Sequence, residues 1–202
     1  MGKPTRIQAQ NREKIAAAAL EVFAAEGFRG ATIDAIAKAA GMSKPNLLYY
    51  FASKDVIYRE VLERLLGDWL APLREIDPNG DPGREIAAYL DRKMEMSRDY
   101  PLESRLFANE MLRGAPNMAD VLANELKPLV DDLAGVIRGW AAAGRIADVD
   151  PHHLIFAIWS TTQHYADFDA QVRAVLGDDG EGRFHDGAAF LKKLFLDGLR
   201  PR

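Results

Sequence analysis

The 202 residues carry 26 Lys and Arg against 30 Asp and Glu, a formal charge of −4, and are 48% hydrophobic and 28% charged. That balance excludes a disordered acidic chain, since there is ample apolar surface to bury, and the net negative sign argues against indiscriminate binding to nucleic acid. The absence of cysteine excludes disulfides, thiolate zinc sites and cysteine nucleophiles.

The opening MGKPTRIQAQNREK is polar and basic, with no apolar run behind it long enough for a signal peptide or a membrane span. The expectation is a cytoplasmic protein with no membrane partner. Charge is uneven along the chain: Met1 to Lys54 holds eight Lys and Arg against four Asp and Glu, net +4, leaving 18 basic and 26 acidic residues, net −8. A basic head on an acidic body is the layout of a protein that brings one end to phosphates.

Apolar spacing is helical nearly throughout, so the chain reads as all-α, with about nine helices. The first runs from about Arg12 to Ala25 and ends at Gly27. A short helix over Ile33 to Ala39 is capped by Thr32, and after Gly41 another, Lys44 to Phe51, is capped by Ser43 and tolerates Pro45 in its first turn. Ser53 caps a longer helix that extends to Pro72. After the loop signal DPNGDPG, further helices are predicted at Pro82 to Arg98, Pro101 to Arg113, Met118 to Ala143, Pro151 to Val175 and Gly187 to Leu199. Gly177 to Gly187, Gly-rich and acidic, reads as a loop without the alternating carboxylates of a calcium site.

Two short helices around Gly41 fit a helix-turn-helix. Ala37 is small where they would touch, and Ile36, Ala40, Met42 and Leu47 supply packing. A generic helical hairpin would pack equally well. What favours DNA is the polar set Ser43, Lys44, Asn46, Tyr49 and Tyr50, with Lys54 at the next helix start, which suits phosphates and base edges.

The string GFRGATIDAIAKAAGMSKPNLLYYFASKDVIYREVL resembles the N-terminal domain of TetR-family regulators. The resemblance implies a helix-turn-helix domain over residues 1–54, a helical ligand-binding and dimerisation domain over 55–202, and a homodimer on double-stranded operator DNA. It assigns base or phosphate contact to Lys44, Asn46, Tyr49 and Lys54, and phosphate contact or capping to Thr32 and Ser43. Leu48 departs from the aromatic residue often found there. Further along, WLAPL, SRDYPLESRLFANEML, DPHHLIFAIWSTTQHYADF and GLRPR resemble one branch of the family, the pyrimidine-utilisation repressors, whose ligands are uracil and thymine.

The residues themselves admit a pyrimidine. Trp159 and Gln163 are four apart on one helix face, a flat wall beside an amide that offers a donor and an acceptor to an imide edge. Trp69 and Leu73 supply an opposite wall, and Phe107, Met111 and Thr162 are further lining candidates. Packing with a satisfied amide accounts for Trp159 and Gln163 as well, and a different small molecule, or an interaction module without DNA function, stay open. No catalytic, metal or cofactor site is expected: His164 with Asp167 lacks a motif around it, and adjacent His152 and His153 point about 100° apart. Ile155, Ile158, Phe168, Phe190, Leu191, Leu194 and Phe195 are the expected dimer seam.

Overall fold

The computed structural model describes residues 6–177 and 180–201, and every regular element among them is helical. In chain order these are α1 (Arg6–Gly30), α2 (Ile33–Ala39), α3 (Lys44–Tyr50), α4 (Lys54–Arg74), α5 (Pro82–Asp99), α6 (Pro101–Leu112), α7 (Ala119–Val121), a π turn (Leu122–Leu126), α8 (Lys127–Ala142), α9 (Pro151–Asp167), α10 (Asp169–Leu176) and α11 (Gly182–Gly198).

The chain forms two compact units, one of Met1–Gly67 with Arg105–Ala119, the other of Asp68–Ser104 with Asp120–Arg202. This partition differs from the expected division after residue 54, because most of α4 and part of α6 group with the head.

In the first unit, Ile15, Ala19 and Phe23 of α1 bury against Ile36 of α2 and Leu47 of α3. Gly27 breaks α1 as expected, at φ 68° and ψ 170°, a conformation open to glycine and strained for other residues. Phe28 follows and turns back, with its ring 4.7 Å from that of Tyr58. The fully buried Glu110 is a feature the sequence pattern hides. It accepts from the Tyr58 hydroxyl at 3.1 Å and from the Asn117 backbone N–H at 2.7 Å, so that its carboxylate fastens the turn at Gly114 and Ala115, both at positive φ. Burial, then the Glu110 charge, push the Tyr58 hydroxyl well above the usual tyrosine range, so it remains a donor.

In the second unit α5 packs on α9 and α11. Leu90 and Met94 bury with Ile155, Ile158 and Leu191, each such side chain stabilising by about 1.5–3 kcal/mol. Asp81 caps α5 and Asp150 caps α9 through their side-chain oxygens.

Several predicted boundaries move. Helix α1 starts at Arg6. Helix α4 continues through Pro72 to Arg74, which is feasible because only two residues follow the proline and little of the helix depends on its missing donor. The helix expected over Met118 to Ala143 contains the π turn, and the one expected over Pro151 to Val175 breaks at Phe168, whose φ −114° and ψ 29° leave the helical region. The loop expected from Gly177 to Gly187 is helical from Gly182. Arg183 braces that start by donating to Asp169 at 2.8 Å, and Gly187 lets α11 approach the Tyr165 ring, where a Cβ would meet it at 2.6 Å. Asp178 and Asp179 of that loop lie outside the described residues.

Candidate functional site

Thr32 caps α2 by accepting from the Ala35 N–H at 3.1 Å, and Ser43 caps α3 by accepting from the Asn46 N–H at 3.4 Å. Gly41, at φ 63°, turns the chain between the two helices, and the Met42 N–H closes the turn on the Ala37 carbonyl at 3.0 Å. Leu47 points into the core while Lys44, Pro45, Asn46, Leu48 and Tyr49 stand on the open face of α3, Tyr49 at 71% exposure. The far end of α3 is pinned to α1: Asn11 donates to the Tyr50 hydroxyl at 2.6 Å and Arg12 to the Tyr50 carbonyl at 2.8 Å. A short rigid helix thus offers a cation, an amide and a phenol from one exposed face, the chemistry that phosphates and major-groove base edges accept. Lys44 is not free, since its ammonium pairs with exposed Asp34 at 2.8 Å.

In the second unit, α5 and α9 share a ladder of polar contacts. The Trp159 indole N–H donates to the Tyr89 hydroxyl at 2.7 Å, and the Ser97 hydroxyl donates to the Thr162 carbonyl at 3.0 Å. Lys93 lies one turn after Tyr89 and one before Ser97, opposite the stretch from Trp159 to Thr162, and is only 3% exposed. Its ammonium rests 4.2 Å from the centre of the Trp69 ring, a cation–π contact worth up to about 2 kcal/mol where water is excluded. Burial pushes Lys93 down from 10.5 to about 8, and Asp167 opposes that fall. Desolvation pushes the Tyr89 hydroxyl well above the usual tyrosine range. Gln163, half-buried and one turn beyond Trp159, has no hydrogen bond to its amide among the described residues. Two indoles, a cation, a phenol and an open amide therefore gather in one region of this unit.

The first unit carries the sequence signature of bacterial regulatory proteins of the tetR family over residues 15–61, and residues 62–202 match the C-terminal region of YcdC-like protein. The HTH-type transcriptional regulator RutR of Escherichia coli strain K12 is 45% identical over 203 residues, spanning 100% of this chain and 96% of that protein. The chain belongs to the TetR family of transcriptional regulators. Other relatives align less far: the HTH-type transcriptional activator FasR of Mycolicibacterium smegmatis is 38% identical over 66 residues, 33% of this chain and 30% of its own. Among solved structures, a bacterial regulatory protein of the tetR family from Rhodococcus RHA1 superposes with a TM-score of 0.76 at 20% identity, over 95% of this chain and 98% of that one. The fatty acid degradation regulator FadR from Bacillus halodurans does so at 0.69 and 20%, over all of both chains. The relatives of this regulator bind DNA and are not enzymes.

In the regulator, some residues singled out from the sequence have other occupations. Lys54 is a staple. Its ammonium donates to the carbonyls of Phe28 and Ala31, both at 2.7 Å, and sits 4.6 Å over the Phe28 ring, so it closes the α1 terminus onto the start of α4. The Thr162 hydroxyl is fully buried and spends its proton on the Ile158 carbonyl at 2.7 Å. Phe107 and Met111 belong to the first unit, whereas Trp69, Leu73, Trp159, Thr162 and Gln163 belong to the second. Ile155, Ile158 and Leu191 are core, not seam, while Phe156, Phe168, Phe190 and Leu194 are half exposed or more. Sequence reasoning missed Tyr89 and Lys93. Their spacing of four on α5, in step with Ser97, was the available signal, but a lysine on a helix ordinarily reads as solvent-facing.

Proposed function

We propose that this regulator is a dimeric repressor that leaves its operator when a planar pyrimidine, uracil or thymine, binds in the second unit. The observation that carries the reading is the open Gln163 amide one turn from Trp159, whose indole is fixed by Tyr89, on the helix with the fullest resemblance to the pyrimidine-utilisation repressors. The ring stacks on indole and the amide pairs with the imide edge. Lys44, Asn46 and Tyr49 touch operator phosphates and base edges, with Thr32 and Ser43 as caps that aim the first N–H groups of α2 and α3 outward. Release requires only that the effector prefer the conformation that does not fit DNA. Because Trp69 and Leu73 lie on α4, whose first residue is the Lys54 staple, a shift of that helix is the natural carrier.

The test is fluorescence anisotropy on labelled DNA from upstream of the gene, titrated with uracil, thymine, cytosine and a purine base. Uracil or thymine should release the DNA, and Gln163→Leu should raise the concentration needed by about ten- to a hundredfold, the cost of an unmade buried hydrogen bond. Release by an unrelated compound and not by either pyrimidine would reject the effector while leaving the family intact.

A further inference from the structure

The most unusual group in the second unit is the Lys93 ammonium. The Lys93 side chain is only 3% exposed, and its ammonium has no hydrogen-bond partner among the described residues. What surrounds it is aromatic and polar but not anionic at close range: the Trp69 ring at 4.2 Å from α4, and the stretch from Trp159 to Thr162 of α9. Asp167, further along α9, is the one carboxylate that acts on it, and that carboxylate also accepts from the Ser104 hydroxyl at 2.5 Å. On α5 itself, Tyr89 keeps its proton across the neutral and mildly alkaline range, and Asp91 is engaged with Lys192 of α11 at 2.7 Å. An ammonium on so little-exposed a side chain, with three donors and no protein acceptor, is stabilised by any acceptor that reaches it.

We infer that Lys93 is the cation that recognises the effector: its ammonium donates to the 4-oxo oxygen of a planar pyrimidine lying beside Trp69, admitting a carbonyl at that position where it rejects an exocyclic amino group. This rests on the pyrimidine reading and adds to it a second polar contact, independent of the Gln163 amide. Uracil and cytosine have the same ring shape, and they differ in presenting an acceptor or a donor at one exocyclic position. An amino group facing an ammonium leaves both donors unpaired, so Lys93 gives the site its discrimination.

The assignment has a proton signature. Burial lowers Lys93 to about 8 in the free protein, so part of the population is neutral at mildly alkaline pH. An oxygen acceptor favours the charged form and lifts the value again. Binding at pH 8 must then take up a proton, and uracil affinity must fall as the pH rises from about 7 to 9.

Calorimetric titration with uracil and with cytosine, at pH 8 in two buffers of different ionisation enthalpy, tests this on the intact dimer. The parent should bind uracil with net proton uptake and prefer it over cytosine. Lys93→Met should lose about ten- to a hundredfold in uracil affinity, most of the preference and all of the uptake, while melting at or above the parent because a buried charge is gone. Lys93→Arg keeps a cation that does not titrate here, so it should retain the preference and lose the uptake. Uracil binding to Lys93→Met within twofold of the parent, or no proton uptake by the parent, overturns the role of Lys93 and leaves the pyrimidine reading standing. No uracil binding by the parent rejects that reading and this assignment with it.

Discussion

Lys54 and Tyr49 show how far apart two polar residues of one head can stand. The Tyr49 ring is exposed on α3 and does nothing for the fold beyond an edge contact with Tyr50 at 5.1 Å. Lys54 is half-buried and satisfies two backbone carbonyls that would otherwise be left without donors at the α1 terminus. Removing such a donor costs about 1–3 kcal/mol, whereas an exposed ring costs little. Lys54→Met is therefore expected to lower the denaturation midpoint of the free protein, and Tyr49→Ala to leave it within error. Chemical denaturation of both variants checks this. A stable Lys54→Met variant with weakened operator binding would return Lys54 to the DNA contacts.

The C-terminal helices divide their apolar residues between two faces, which the periodicity of either helix does not separate. Leu191 of α11 faces α5 and α9, while Phe190 and Leu194 face outward at 60% and 51% exposure, together with Phe156 of α9 at 50%. Large apolar side chains exposed in this way are costly to leave in water and would suit the seam of the proposed dimer. The double change Phe190→Glu with Leu194→Glu should give monomers in sedimentation at low micromolar concentration, with unchanged helicity. Leu191→Glu should instead unfold the unit, since it buries an unpaired charge in the core. A Phe190, Leu194 variant that remains dimeric would move the interface elsewhere.

For the whole molecule, the charge split decides how the regulator meets DNA. A net +4 over Met1 to Lys54 and −8 over the remainder would, in the operator complex proposed above, favour approach to phosphate by the head. In the proposed operator contact, phosphate would have to compete with the Asp34 carboxylate for the Lys44 ammonium. Lys44→Ala with Tyr49→Ala should abolish specific retardation at moderate salt, and Lys44→Ala alone should reduce the slope of log affinity against log salt by about 1. Gel retardation across a salt series tests both, and parental behaviour of the double variant would remove α3 from the operator.

Much of this was legible in the chain itself. The all-α class, the caps Thr32 and Ser43, the break at Gly27 and the exposed face of α3 follow from helical periodicity and local hydrogen bonding, which act within a few residues and are written in sequence order. Trp159 and Gln163 on one face of α9 were legible for the same reason. Tertiary structure alone decided what depends on partners distant in the chain. Tyr89 meets Trp159 across 70 residues, Tyr58 meets Glu110 across 52, and Lys54 finds carbonyls 23 and 26 residues back. Whether a lysine is a solvated charge, a staple or a buried cation beside an indole depends on its desolvation and on the acceptors within reach, and these are set only when the helices pack.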